Sequence, residues 1–533
     1  MKQADIVVVG AGLGGMAAAA RLARMGHRVE IWEKNEIAGG KLRELRLGDY
    51  TWDTGPSLVT MPHVLRELFS FCGVELTERL DLIRLPSACR YFWDYSQNRS
   101  GGGMVYHVDE DEAFWKRPDV AAFLRYAEGI YELSGEAYLN HPPEEFWRAF
   151  TLQNLPKLRH LPKVATFQNM AQVVRRFFRQ SPWNREHPSD DAFLQQLFNR
   201  FATYNGSSPY QTPATFNIIP YVEAEFGAWY PRGGLVSIAR EIEKLAREMG
   251  VVFRFGETAA DFAPSHRPSS VSGLFGAVAE PSGGTITSTS GRWAEVDALI
   301  CNADVLTARG TFLRSLTSPE ELNSIRSKPL SCSGFILYLG VRHRYPQLRH
   351  HNIFFSDDYP REFADIFDRK QLPSQPTIYI SISARTDPAR ISSAPGPLPS
   401  SERDNYFVLI NAPAWPDEKP LDEAEKQRYR NVILDRLEHM GLTGLRGHIE
   451  EEQIFTPKDF AERDLTWQGS LYGWASHSIG TALFRPPMRM RSDARVWCCG
   501  GTTHPGGGIP LVLLSGKMAA EAVARELHPS HTE

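Results

Sequence analysis

The residues with the clearest chemistry lie in the first forty positions. Gly10-Ala11-Gly12-Leu13-Gly14-Gly15 is a G-x-G-x-x-G sequence, and Glu33 stands eighteen residues beyond Gly15. The pattern suits a dinucleotide: Gly10 permits a tight turn, Gly12 lets backbone approach a pyrophosphate, Gly15 lets a helix pack closely on a strand, and the acid accepts from a ribose hydroxyl. Such residues act only if a strand, a helix and a second strand hold them in that order. Asp5-Ile6-Val7-Val8-Val9 is a β-branched run suited to a strand buried on both faces, and it ends directly in the glycines. Met16 to Met25 carries Ala, Leu and Arg at helical spacing, Gly26 closes that helix, and Arg28-Val29-Glu30-Ile31-Trp32-Glu33 reads as the next parallel strand. The result is a βαβ unit whose helix N-terminus offers free N–H groups and a positive dipole end to phosphate. The fingerprint alone leaves NAD and FAD open, since an acid after the second strand serves either.

Other glycine clusters extend the site. Gly39-Gly40-Lys41 and Asp53-Thr54-Gly55-Pro56-Ser57 follow closely, and ordinary turn chemistry would account for both. At the far end Arg495 to Cys499 reads as a strand running into Gly500-Gly501-Thr502-Thr503-His504-Pro505-Gly506-Gly507-Gly508-Ile509-Pro510, with a helix from Leu511 to Arg525. Five glycines in nine residues cost too much chain entropy to be casual. A C-terminal strand, loop and helix returning to an N-terminal βαβ unit suggests an extended cofactor gripped from both chain ends.

Composition bounds the rest. With 533 residues the chain suggests two to four domains. Its 42% hydrophobic and 23% charged residues support a sizeable core, and 59 Lys+Arg against 63 Asp+Glu leave −4, which disfavours disorder and nucleic-acid binding. Six cysteines without a CxxC pair or regular spacing argue against a disulfide framework or a metal site and fit a reducing cytoplasm. The longest apolar stretch, Ile6 to Ala20, is broken by four glycines and lacks a cleavage pattern, so it reads neither as a spanning helix nor as a leader.

Five motifs in order resemble the bacterial-type phytoene desaturases, FAD-containing carotenoid desaturases. They are the fingerprint with Glu33 and Gly39-Gly40-Lys41; Asp53-Thr54-Gly55-Pro56; Trp229-Tyr230-Pro231-Arg232-Gly233-Gly234; Cys301-Asn302-Ala303-Asp304-Val305; and Thr503-His504-Pro505-Gly506-Gly507-Gly508-Ile509-Pro510. The resemblance implies an α/β fold with a Rossmann-like, glutathione-reductase-like FAD-binding domain and an α+β substrate domain made of two insertions. FAD-binding segments are then expected at 1–110, 221–314 and 465–533, a helical, membrane-associated insertion at 111–220 and a sheet at 315–464. It further implies that Gly10, Gly12, Leu13, Gly14 and Gly15 hold the pyrophosphate, Glu33 and Lys34 the adenosine side, and Gly39, Gly40 and Lys41 the turn beside the flavin. Gly55 and Pro56 would lie near the ring, Thr258 would offer backbone to adenine, and Asn302 would close the second pass. Gly500, Gly501, Gly508, Ile509 and Pro510 would bring backbone to the ribityl chain and flavin.

The expected reaction introduces conjugated double bonds into a linear C30 or C40 carotenoid. Flavin takes hydride, a proton leaves the neighbouring carbon, and quinone or oxygen reoxidises the cofactor. No residue pair identifies the proton acceptor. His504 and Arg232 are the candidates, each with a competing structural role: orienting the glycine loop for His504 and anchoring a loop for Arg232; Asp304 reads as a turn acid. Carotenoid isomerases, hydroxycarotenoid 3,4-desaturases and terminal oxidases of linear carotenoids share the motifs, and a non-redox prenyl-binding escort protein is the more distant alternative. Thr151 to Arg185 contains seven basic residues and no acid, interleaved with Leu, Val, Phe and Trp. That composition fits a basic solvated face or docking on a membrane, where a carotenoid resides, so a cytoplasmic, peripherally membrane-associated protein is expected.

Overall fold

A computed structural model describes residues 3–94, 105–149, 167–180, 190–265, 281–392, 400–415 and 421–528. The β-branched run Asp5–Val9 forms the expected strand, buried at Ile6, Val7, Val8 and Val9. It pairs in parallel with Arg28–Glu33 on one side and Ala298–Cys301 on the other. Val252–Phe255 and Ala494–Cys498 extend this sheet in parallel, and the short antiparallel strand Arg489–Arg491 closes one edge. Strands from three distant parts of the chain thus make one six-stranded sheet. The helix Leu13–Arg24 lies on it, and its alanine-rich face, Ala17 to Ala20, is small enough for the C-terminal helix Ile509–Leu527 to pack closely.

A second, seven-stranded sheet runs in the order Ile449–Phe455, Ser333–Val341, Asp404–Ala412, Ile378–Ile382, His351–Phe354, Arg90–Asp94, Val105–Asp109. It is antiparallel except where His351–Phe354 runs parallel to Arg90–Asp94. Ser333–Val341 is buried along its whole length, because both faces of the sheet are covered. Phe335, Leu337 and Leu339 pack with Tyr429, Ile433, Leu434 and Leu437 of the helix Glu423–His439. On the opposite face Ile336, Tyr338 and Phe407 pack with Tyr50 and Trp52 of the strand Tyr50–Asp53.

The strands at Phe335, Ile378 and Tyr406 arise where the apolar runs place them, but the sheet also recruits Arg90–Asp94 and Val105–Asp109, from the segment expected to bind FAD. Arg90-Tyr91-Phe92-Trp93 is an aromatic run that reads as a strand in either sheet, and nothing local encodes its partner. The described residues between 111 and 220 are mostly helical, with Pro118–Asn140, Met170–Gln180 and Asp190–Asn199 as their main helices. The middle cofactor segment also holds a three-stranded antiparallel sheet, Ala259–Pro264, Gly284–Ser288 and Trp293–Val296, and the short strand Trp229–Pro231, which pairs with Leu82–Arg84. The Pro/Ser-rich stretch at 393–399 lies outside the described residues. Among the described residues no helix is long and apolar enough to cross a membrane, and no cluster of His, Cys, Asp and Glu gathers as metal ligands do.

The helix Tyr359–Phe367, on the rim of the second sheet, buries a carboxyl group with a measurable consequence. Glu362 is 2% exposed, and one carboxyl oxygen accepts the Thr377 hydroxyl at 2.6 Å. Burial raises its pKa to about 7. The folded state therefore keeps a proton that the unfolded chain releases, so stability falls as pH rises from about 4.5 to about 7 and is flat above. Two and a half pKa steps correspond to about 3 kcal/mol. Glu362→Gln is expected to remove this slope, measured as the difference between denaturant midpoints at pH 5 and pH 8.

Candidate functional site

The glycine loop begins where the first strand ends. Gly10 has φ +98°, which a side chain disfavours, and its N–H donates to the Trp32 carbonyl at 2.8 Å. Gly12 is the N-cap of the helix Leu13–Arg24 and brings no capping side chain, so the first helical N–H groups stay free for an anion. Glu33 is 5% exposed at the end of the second strand. Its Oε2 accepts from Ala11 N–H at 2.7 Å, and its Oε1 from the Asn35 backbone and side-chain amides at 2.9 and 2.5 Å. A carboxylate has about four acceptor positions, so one remains on Oε2 for a ribose hydroxyl. Glu33→Ala is expected to weaken flavin binding about 10- to 100-fold, the loss of a charged hydrogen bond, read by fluorescence titration of the apoprotein.

Asn302 joins the two ends of the chain. A Cβ on Gly12 would lie 2.6 Å from its Oδ1, and one on Gly500 would lie 2.7 Å from its Nδ2, which donates to the Cys499 carbonyl at 3.2 Å. Gly500 N–H donates to Ser515 Oγ at 3.0 Å, which fixes the C-terminal loop on its own helix. Gly508, exposed with φ +108°, starts that helix without a capping side chain, and Ile509 and Pro510 are buried behind it. Gly39 N–H donates to the Ala11 carbonyl at 2.8 Å, and Gly40 (φ +60°) packs on the Cα of Gly12. Lys41 Nζ donates to the Leu471 carbonyl at 2.6 Å, near Asp304. Asp304 itself accepts from Leu306 and Thr307 N–H, the turn-acid role, and burial raises its pKa.

Two of the glycine turns are tied together by buried polar contacts. Asp53, 8% exposed, accepts from the Tyr230 hydroxyl at 2.6 Å and from Leu235 N–H at 2.8 Å. The segments Asp53-Thr54-Gly55-Pro56 and Trp229 to Gly234 are therefore two halves of one clamp. Gly55, Pro56 and Ser57, which follow Asp53 and Thr54 directly, are half-buried.

The remaining candidate residues differ in what holds them. Arg232 is exposed, its Nε donating to Asp81 at 2.8 Å, so it anchors a loop at the surface and reaches no buried group of the site. Its place next to two glycines gave no hint that the side chain turns outward. Lys34 Nζ is held by the Arg463 carbonyl at 2.8 Å. Thr258 follows its strand as expected, with its carbonyl bound by Thr289 N–H at 2.8 Å. His504 is fully buried; its Nε2 meets the Tyr138 carbonyl at 2.8 Å and its carbonyl accepts the Ser515 hydroxyl at 2.7 Å. Burial lowers its pKa to about 4, so at neutral pH it is an uncharged loop anchor.

The free N–H groups at Gly12 and Gly508, the open acceptor of Glu33 and the glycine faces of both loops fit an extended dinucleotide. The flavin-containing amine oxidoreductase model matches residues 13–524, from the first helix through Glu33 and Asn302 to the C-terminal loop and helix. The chain belongs to that family. It is an FAD-dependent oxidoreductase. The chain is 32% identical to a 1-hydroxycarotenoid 3,4-desaturase of Flavobacterium sp. (strain P99-3), over 98% of this chain and 99% of that one. It is 33% identical to a 4,4'-diapolycopene oxygenase of Methylomonas sp., over 98% of each. Among solved structures, putrescine oxidase with bound putrescine (TM-score 0.59, 13% identity, 99% of each chain) and cyclohexylamine oxidase from Brevibacterium oxydans (TM-score 0.56, 15% identity, 99% of this chain and 100% of that one) share the fold.

Proposed function

We propose that the protein is a carotenoid desaturase that introduces conjugated double bonds into a linear C30 or C40 carotenoid. The observation that carries this reading is the near-full-length likeness, at 32–33% identity, to two enzymes named for carotenoid substrates. The inner face of the second sheet supports it. Ile336, Tyr338 and Phe407 are packed under Tyr50 and Trp52, and half-buried Leu409 and Tyr379 beside them leave a mostly apolar surface, which suits a hydrocarbon. Bound FAD supplies the two-electron acceptor. The protein holds the pyrophosphate at Gly10 to Gly15, the ribose at Glu33 and the ring side at Gly39 to Lys41, Gly55, Pro56 and Gly500 to Pro510.

Incubation with liposomes carrying C30 and C40 polyenes of graded saturation tests the reading. A red-shifted product two hydrogens lighter is expected. Unchanged mass with an altered spectrum would mean isomerisation, and tight binding without change would mean an escort protein. A gain of oxygen would favour the second reading, terminal oxidation, which the oxygenase relative supports.

Membrane docking through residues 151–185 belongs to the same proposal. Most of that segment lies outside the described residues, but the helix Met170–Gln180 buries Val173, Val174 and Phe178 and exposes Arg175, Arg176 and Arg179. Co-flotation with anionic liposomes at low salt is expected, weakening as salt screens the arginines. No flotation would remove the docking proposal. Quinone or oxygen is the proposed final acceptor, distinguished by which of them restores the flavin absorbance after anaerobic reduction.

A further inference from the structure

The expected reaction releases a proton, and neither His504 nor Arg232 is placed to take it. The inner face of the second sheet holds a different polar group. Tyr379, half-buried on that face, has its hydroxyl 2.6 Å from Ser57 Oγ and 2.7 Å from His351 Nδ1. Ser57 directly follows Gly55-Pro56, the turn that the proposed function sets beside the flavin. His351 is 1% exposed and stacks on the Tyr379 ring, with centroids 5.8 Å apart and planes 21° apart. Its Nε2 is buried without a hydrogen-bond partner. A buried imidazole held at one nitrogen and unsatisfied at the other is costly to keep, so packing alone does not explain its presence there.

We infer that Tyr379 and His351 form a proton-accepting relay for the proposed desaturation, on which this inference rests. With FAD bound as hydride acceptor, the substrate would be left as a delocalised allylic cation. Electrons of the adjacent C–H bond become the new C=C bond, and its proton passes to Tyr379 Oη. The phenol donates its hydrogen to Ser57 Oγ in the structure; in this step the hydroxyl turns that hydrogen to His351 Nδ1, which accepts it in the tautomer carrying its own hydrogen on Nε2. The products are a neutral diene, a neutral phenol and an imidazolium, so charge and atoms balance. An allylic cation is acid enough to protonate a weak base. His351 is one, since burial first, then His350 and Arg200, keep its pKa well below the usual histidine range. The same repulsion returns the proton through Tyr379 once the product leaves. Ser57 orients the phenol and is a positioning residue.

Tyr379→Phe and His351→Gln test the relay in the flavin-loaded protein, with wild type assayed beside them. Both variants are expected to bind FAD and polyene as wild type does. Each should form the diene at least 100-fold more slowly, in the range lost with a general base. They should also divert cation to water, so that a product one oxygen heavier than the substrate rises relative to the product two hydrogens lighter. A nitrogen-15 histidine spectrum supplies a readout independent of turnover. The His351 resonance, identified by its loss in His351→Gln, should shift at Nδ1 in Tyr379→Phe. Diene formation by Tyr379→Phe within threefold of wild type, at an unchanged product ratio, overturns the relay while leaving the desaturase reading intact. Should Tyr379→Phe lose its flavin, His351→Gln decides by the same rate and ratio. A wild type that desaturates no polyene overturns the reading and the relay together.

Discussion

Arg200→Met is expected to destabilise the helical and sheet insertions by about 3–5 kcal/mol, the typical cost of leaving buried charges without their partner. Arg200 is 6% exposed, and around it lie Glu110 at 1% and Glu223 at 2%. Its Nη2 reaches Glu223 Oε1 at 2.8 Å and Glu110 Oε2 at 3.1 Å, while its Nε donates to the Tyr91 hydroxyl at 2.8 Å. Tyr91 in turn donates to Glu110, and Tyr204 to Glu223. The guanidinium also lies over the Phe201 ring at 4.0 Å. Burial, and then the neighbouring Glu223, raise the Glu110 pKa well above the carboxylate range, so one proton is held between two acids facing one cation. Methionine keeps much of the packing and removes the charge. The midpoint of denaturant unfolding, followed by tryptophan fluorescence, reads the loss, and a change under about 1 kcal/mol would contradict the argument. Adding Glu223→Gln should restore part of the loss, because the cost lies in the uncompensated carboxylate.

This network marks what the sequence could and could not reveal. The βαβ unit was legible because every local signal agreed: β-branched strand, glycine turn, small-residue helix, acid at the second strand end. Loop and cofactor role followed from the same residues. Arg200, Glu110 and Glu223 were not legible, since they come from two helices and a strand end and carry no shared spacing. The same holds for Tyr379, His351 and Ser57, which lie 28 and 294 positions apart along the chain and meet only because Ile378–Ile382 pairs with His351–Phe354 beside the Gly55-Pro56 turn. Sheet partners at long separation are set by the whole core, which is also why Arg90–Asp94 joined the second sheet. The Trp229 to Gly234 motif was visible but its job was not. Only the contact of Tyr230 with Asp53 turns two glycine turns into a clamp, and only then does Arg232 prove to face outward.

The largest effect on function is expected at Gly15. A Cβ there would run into the carbonyl oxygen of Gly10 and lie 2.9 Å from Cβ of Asn302. The first obstacle is backbone of the strand-to-helix turn, which cannot rotate away, so Gly15→Ala must push the helix off the sheet or reshape the loop. Either change misdirects the free N–H groups meant for the pyrophosphate, and the protein should purify with less than about a tenth of the wild-type flavin, a loss of more than about 1.4 kcal/mol in binding. Gly12→Ala meets a different obstacle, the Oδ1 end of the Asn302 side chain at 2.6 Å. That amide can turn, so the defect should be smaller, and replacing Asn302 by alanine in the same protein should relieve part of it. Gly447→Ala meets nothing within 4 Å and serves as the control. The flavin-to-protein absorbance ratio of the purified variants, with a fluorescence titration of each apoprotein, measures the order. Wild-type flavin content in Gly15→Ala would mean that the loop yields where its backbone contacts say it cannot. A Gly12→Ala protein worse than Gly15→Ala would place the critical approach at the pyrophosphate rather than at the helix–strand contact.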